Sequence, residues 1–112
     1  MSFDDFHSGR ELKATRKPHV CEQCGRQIET GSPAYYAAGK YDGYFYTQHE
    51  HVECRAAGMA YAEETGLWGE EFTWFQHADS DMRTDFGPWL LEHHPIVAER
   101  LNIEREEDEV EA

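Results

Sequence analysis

Apolar positions along this chain fall into short aromatic runs and one stretch of helical period. Between residues 34 and 48, aromatic and small residues fill two short runs, Ala34 to Ala38 and Tyr44 to Gln48. Both are rich in Tyr and Phe and read as strands. Gly39-Lys-Tyr-Asp42-Gly43 joins them, and Asp-Gly is a strong hairpin signal. From His51 to Glu64 the pattern changes. Val52, Ala56, Met59 and Ala60 fall on one face of a helix, and Gly66 offers a C-terminal stop. Residues 67–87 hold Leu67, Trp68, Phe72, Trp74, Phe75 and Phe86 among many acids. They follow neither pattern, leaving loop, short helix and strand all open. Pro88 is placed to open a further helix reaching about Leu101, with Pro95 splitting it into two short ones if the pattern breaks there.

The flanks carry less pattern. Residues 1–17 read as a polar lead-in, in which Phe3 and Phe6 could dock but nothing fixes their conformation. Residues 104–112 contain six acids and one Arg, which predicts a frayed or disordered tail. The division expected is a lead-in at 1–17, a core at 18–66, an aromatic and acidic, partly helical extension at 67–103, and the tail.

Charge alters this picture. The 112 residues carry a formal net charge of −13, and the distribution is uneven. Residues 1–40 hold six Lys or Arg against five Asp or Glu, whereas residues 41–112 hold four against eighteen. Such a surface repels phosphate backbones and disfavours general nucleic-acid binding. It suits a basic protein partner, or solubility alone. No apolar run is long enough to span a membrane, and Met-Ser-Phe-Asp-Asp-Phe does not resemble a signal peptide, so a reducing cytoplasmic setting is the expectation.

The chemistry is concentrated in the cysteines. Cys21 and Cys24 form a Cys-x-x-Cys turn, with Gly25 supplying a positive φ directly after it. His51-Val-Glu-Cys54 follows at the predicted helix start, where three-residue spacing puts both side chains on one face. Three cysteines cannot all pair within one chain, and a thin core favours a metal staple. The set Cys21, Cys24, His51 and Cys54 therefore predicts one structural Zn2+ per chain. His49, two residues before His51, points the same way on a strand and could take its place as ligand. His19 is a third candidate, better suited to supporting the site than to binding metal.

A knuckle, a hairpin and a helix that begins with the second ligand pair resemble a treble-clef zinc finger, also one half of a LIM domain, over about residues 18–64. The chain more closely resembles small uncharacterised phage and bacterial zinc-finger proteins. The matching residues are Ala14-Thr-Arg16-Lys17-Pro-His19-Val-Cys21-Glu-Gln-Cys24-Gly25, Ile28-Glu-Thr-Gly31, Asp42-Gly43-Tyr44-Phe45-Tyr46-Thr47 and His51-Val-Glu-Cys54. The resemblance implies structural zinc ligation by Cys21, Cys24, His51 and Cys54, a phage or prophage origin, a host cytoplasmic location and no activity. The fold expected is a small α+β domain, with a treble-clef-like core and a partly helical extension.

Catalysis fits poorly. His51-Val-Glu53 and Cys21–Cys24 reverse the order found in zinc deaminases, and Cys54 would close the position that catalytic zinc leaves open. A His-Asn-His-like nuclease would need a further His or Asn, yet Asn102 is the chain's one asparagine and lies far from the hairpin. His77, His93 and His94, with Asp79, Asp81 or Glu92, are a possible second metal set. A weak nucleic-acid-binding finger would rest on Arg10, Lys13, Arg16, Lys17, Arg26 and Lys40 interleaved with Tyr35, Tyr36 and Tyr41. An acidic nucleic-acid mimic, inhibiting a host DNA-handling protein, would use the charge directly. The preferred reading is a protein-interaction module, with Trp68, Trp74, Phe75, Trp89 and Leu90 supplying either a docking patch or the packing of the extension.

Overall fold

The chain is α+β, and its longest strands are those built on the two aromatic runs. The computed structural model describes residues 6–41 and 43–103. Strands β1 (Phe6–Leu12), β4 (Ala34–Tyr41) and β5 (Tyr44–His51) form an antiparallel sheet in the order β1-β4-β5. Strands β2 (His19–Val20) and β3 (Gln27–Ile28) form a separate two-stranded ribbon. Helices α1 (Val52–Thr65), α2 (Ser80–His93) and α3 (Pro95–Arg100) follow, with 3-10 turns at Gly69–Glu71 and Phe75–His77. Packing divides the chain into two compact units, Met1–Glu22 with Arg26–Val52, and Gln23–Gly25 with Glu53–Ala112.

In the first unit both predicted strands run three residues further than the aromatic runs indicated, to Tyr41 and His51. Their register opposes Tyr36 to His49 and Ala34 to His51. The polar segment expected to lack a fixed conformation instead supplies β1, which pairs along the whole of β4. Its own sequence, Phe-His-Ser-Gly-Arg-Glu-Leu, has little strand periodicity. The open edge of β4 recruits it, since an unpaired edge presents a row of backbone donors and acceptors. Gly9 leaves room there for Tyr35, whose ring lies across it, and a Cβ at position 9 would require that side chain to shift. Thr15 then ties the following segment to the 29–32 turn. Its N–H donates to the Ser32 carbonyl (2.9 Å), its hydroxyl to the Glu29 carbonyl (3.0 Å), and its carbonyl accepts from Gly31 N–H (2.9 Å). Phe3, Asp42 of the expected hairpin turn and the expected acidic tail lie outside the described residues.

In the second unit α1 occupies Val52–Thr65, close to the helix expected at 51–64, and Gly66 leaves it at φ +78°. The next helix begins earlier than the sequence suggested. Asp79 caps α2, its Oδ1 accepting from Met82 N–H at 3.0 Å, so the helix opens at Ser80 and carries Pro88 in its interior. Pro88 removes one N–H from the helical ladder without ending it. Pro95 plays the opening role expected of Pro88, standing at the first position of α3 after His94 N–H closes α2 onto the Leu90 carbonyl (2.7 Å).

The core of this unit is Phe75, Phe86, Leu90, Val97, Ala98 and Leu101, with Ala57 and Ala62 from α1. Tyr61 meets Phe75, Phe86 and Trp89 at ring-centroid distances of 5.9, 5.8 and 5.2 Å. Phe75 and Leu90, named above as docking candidates, are fully buried and serve packing.

The segment between α1 and α2 has few regular hydrogen bonds of its own and is held by Gln23. The Gln23 amide donates to the Thr73 carbonyl (3.1 Å), its Oε1 accepts from Phe75 N–H (2.7 Å), and its backbone carbonyl accepts from Gln76 N–H (2.9 Å). Gly58 makes room for it, since a Cβ there would come within 2.5 Å of the Gln23 amide nitrogen. Gln23→Ala strands a buried carbonyl and a buried N–H and is expected to cost about 2–4 kcal/mol. Denaturant unfolding of the metal-saturated protein measures this, and an unchanged midpoint would show the clamp to be dispensable.

Candidate metal centre

Each of the four predicted ligands is positioned by a short backbone device. Cys21 ends the segment after β2, where its N–H donates to the Arg26 carbonyl (2.9 Å) and closes the turn around Cys24. Gly25 follows at φ +79°, the conformation that the turn needs and that residues with a Cβ rarely adopt. Glu22 N–H donates to the His49 carbonyl (2.9 Å), tying the knuckle to β5. His51 is the last residue of β5, and Cys54 lies in the first turn of α1.

These residues come together. The ligand atoms of Cys21, Cys24, His51 and Cys54 all lie within 4.8 Å of one another, and all four residues are buried. The three cysteines are free thiols, so no disulfide competes for the sulfurs. The group could hold one metal ion. Around a tetrahedral ion with bonds of about 2.0–2.3 Å, donor atoms stand about 3.3–3.8 Å apart, within reach of this arrangement.

The surrounding hydrogen bonds fit ligation. His51 Nε2 lies 3.2 Å from the Gln27 carbonyl. A carbonyl only accepts, so Nε2 carries the proton and Nδ1 is the nitrogen left for a metal. His51 N–H points at Cys21 Sγ (3.4 Å). Arg100 Nη1 lies 3.5 Å from Cys54 Sγ and 3.1 Å from Glu53 Oε1. Burial works against the Arg100 charge, but its bonds to Cys54 and Glu53 prevail and hold its pKa above the ordinary value. Three thiolates and a neutral imidazole around a divalent cation sum to one negative charge, and the guanidinium offsets it.

The group assembled here contains His51 and not His49. Both histidines share one face of β5, as residues two apart must, but the His49 ring stacks on His19 at a centroid distance of 3.6 Å and an interplanar angle of 9°. Tyr36 flanks His49 at 5.1 Å. Burial, then His19 and Lys17, hold the His49 pKa below its usual range. Among the described residues, no other group of three or more candidate ligands converges. Of the suggested second set, His93 and His94 pack on Trp89 at 5.5 and 5.1 Å, and His77, itself exposed, ends a 3-10 turn. No helix among the described residues is long and apolar enough to cross a membrane.

Comparison with protein families, curated proteins and solved structures finds no match to this chain. The site must therefore be read from its own chemistry.

Sequence reasoning missed Gln27 and Arg100. Gln27 acts through its backbone, which leaves no side-chain signal. Arg100 stands 46 residues from Cys54 and is brought to it by α3. Outer partners of this kind commonly govern metal affinity by about 10–100-fold. Arg100→Met is expected to weaken metal affinity within that range while the circular dichroism of the loaded protein stays unchanged. Competition against a chromophoric chelator measures it, and equal affinities would remove Arg100 from the site.

Proposed function

We propose that the chain is a structural-zinc domain, treble-clef-like in the order of its parts, acting as a non-catalytic protein-interaction module. The observation that carries the reading is the buried set of three thiols and one imidazole. Sulfur and imidazole donors select Zn2+ over the hard cations. Four protein donors also complete a tetrahedral shell, whereas hydrolytic zinc keeps a position for water or substrate. When bound, the ion would supply cross-linking and charge neutralisation. This chain's residues would supply the rest: Gln27 fixes the His51 tautomer, and Arg100 offsets the surplus negative charge.

The surface supports interaction as the role. Tyr44 and Phe45, at the start of β5, are 76% and 75% exposed. An aromatic pair held this far into solvent favours a protein surface as its counterpart. The net charge of −13 favours a basic one.

Protein purified without added metal is expected to contain one zinc per chain by elemental analysis. Cys21→Ser and Cys54→Ser should each lose the metal and melt at lower temperature, since binding and folding are linked. Retained stoichiometric zinc and an unchanged melt in both variants would end the zinc reading. For the interaction, capture of a basic protein from cell lysate should weaken in high salt and in the Tyr44→Ser, Phe45→Ser double variant, with zinc content unaffected. Capture indifferent to both would count against the role of this surface.

A further inference from the structure

One part of the first unit runs against the charge of the chain. Arg10, Lys13, Arg16 and Lys17 line a cleft of about 840 Å3 together with His19, Tyr36 and His49, and among the described residues Glu11 is the one carboxylate in its wall. All four cationic residues are exposed. Among the described residues, none of them stands within ion-pair distance of a carboxylate. Four cationic groups against one acid, in a chain with a net charge of −13, form a local field of opposite sign. At physiological salt the screening length is about 8 Å, so the cleft presents its own charge to a bound ligand rather than that of distant acids.

The sheet register builds the wall. Arg10 on β1 opposes Tyr36 on β4, and Tyr36 opposes His49 on β5, so the three side chains form one rung on one sheet face. The Arg10 guanidinium lies 5.6 Å from the Tyr36 ring centroid. His49 continues the row onto His19 of β2. The result is a row of aromatic and imidazole rings with cationic side chains along its rim. His51 lies on the same face, one rung away.

We infer that this cleft is a binding site for a nucleoside phosphate, taken either as a free nucleotide or as part of a single strand. The cations receive the phosphates, and the row of rings formed by Tyr36, His49 and His19 receives a base. The combination is the one that sequence-tolerant single-strand sites use, in which a positive groove tracks the backbone and rings stack the bases. The cleft volume falls in the range of small-ligand sites and is too small to enclose a duplex. This inference goes beyond the interaction reading and does not rest on it.

The test uses the full zinc-loaded chain and a short fluorescein-labelled oligothymidine, followed by anisotropy across a salt series. At about −0.7 per phosphate contact for single strands, three or four contacts give a slope of log affinity against log salt of about −2 to −3. Lys13→Gln, Arg16→Gln and Lys17→Gln should each reduce that slope by about 0.7. Tyr36→Leu should weaken binding about tenfold with the slope unchanged, the mark of lost stacking rather than lost charge. Lys40→Gln, outside the cleft, should change neither. Competition by thymidine monophosphate at concentrations matching the strand assigns the site to a free nucleotide, and its failure beside effective unlabelled strand assigns it to a strand. Absence of binding at low salt overturns the inference, as does equal competition by polyglutamate or an effect of Lys40→Gln as large as those in the cleft. Zinc content and melting temperature, measured on the same samples, show that such a failure belongs to the cleft and not to the metal centre.

Discussion

Three thiols and an imidazole held within 4.8 Å of one another, all buried, impose the constraint on which the surrounding structure depends. Thiolates so close repel, and in a low-dielectric setting they need a cation or protons to coexist. The surrounding backbone and side-chain groups meet that demand. His51 N–H and the Arg100 guanidinium both approach cysteine sulfur, and the Gln27 carbonyl fixes the protonated nitrogen of His51. Each is more useful to a negatively charged, metal-binding cluster than to three neutral thiols.

The residues between the ligands have work of their own. In the knuckle, Glu22 N–H reaches the carbonyl of His49, and Gln23 spends its side chain and its carbonyl on residues 73–76. A Cys-x-x-Cys turn is usually described by its cysteines. Here the intervening residues organise segments far away in sequence, and Gly58 exists as a glycine because Gln23 occupies the space beside it.

Charge is distributed as unevenly in space as along the chain. The cations of the first seventeen residues converge on one side of a sheet rung, while acids dominate from residue 41 onward. A net charge of −13 therefore describes the chain as a whole, and it does not describe the field inside the cleft.

The hairpin, the first helix and the set of candidate ligands were legible because each depends on short-range pattern. Aromatic runs flanking an Asp-Gly pair mark β4 and β5, a 3.6-residue period marks α1, and three-residue spacing brings paired ligands to one side of a turn or helix. Three-residue spacing to Cys54 favoured His51 over His49, although both face the same way; in the fold His49 stacks on His19 from another strand, and His51 joins the sulfurs. Strand β1 was hidden because its pairing is supplied by the edge of β4 and not by its own residues. The start of α2 was misplaced because a proline outweighed an Asp79 cap that only the folded turn makes visible. Sequence alone determined which side chains could bind a metal, through residue type and spacing. Tertiary structure decided which arginine stands beside the sulfur and which rings join the basic stretch Arg10 to Lys17 in a cleft, because those outcomes depend on contacts between residues tens of positions apart.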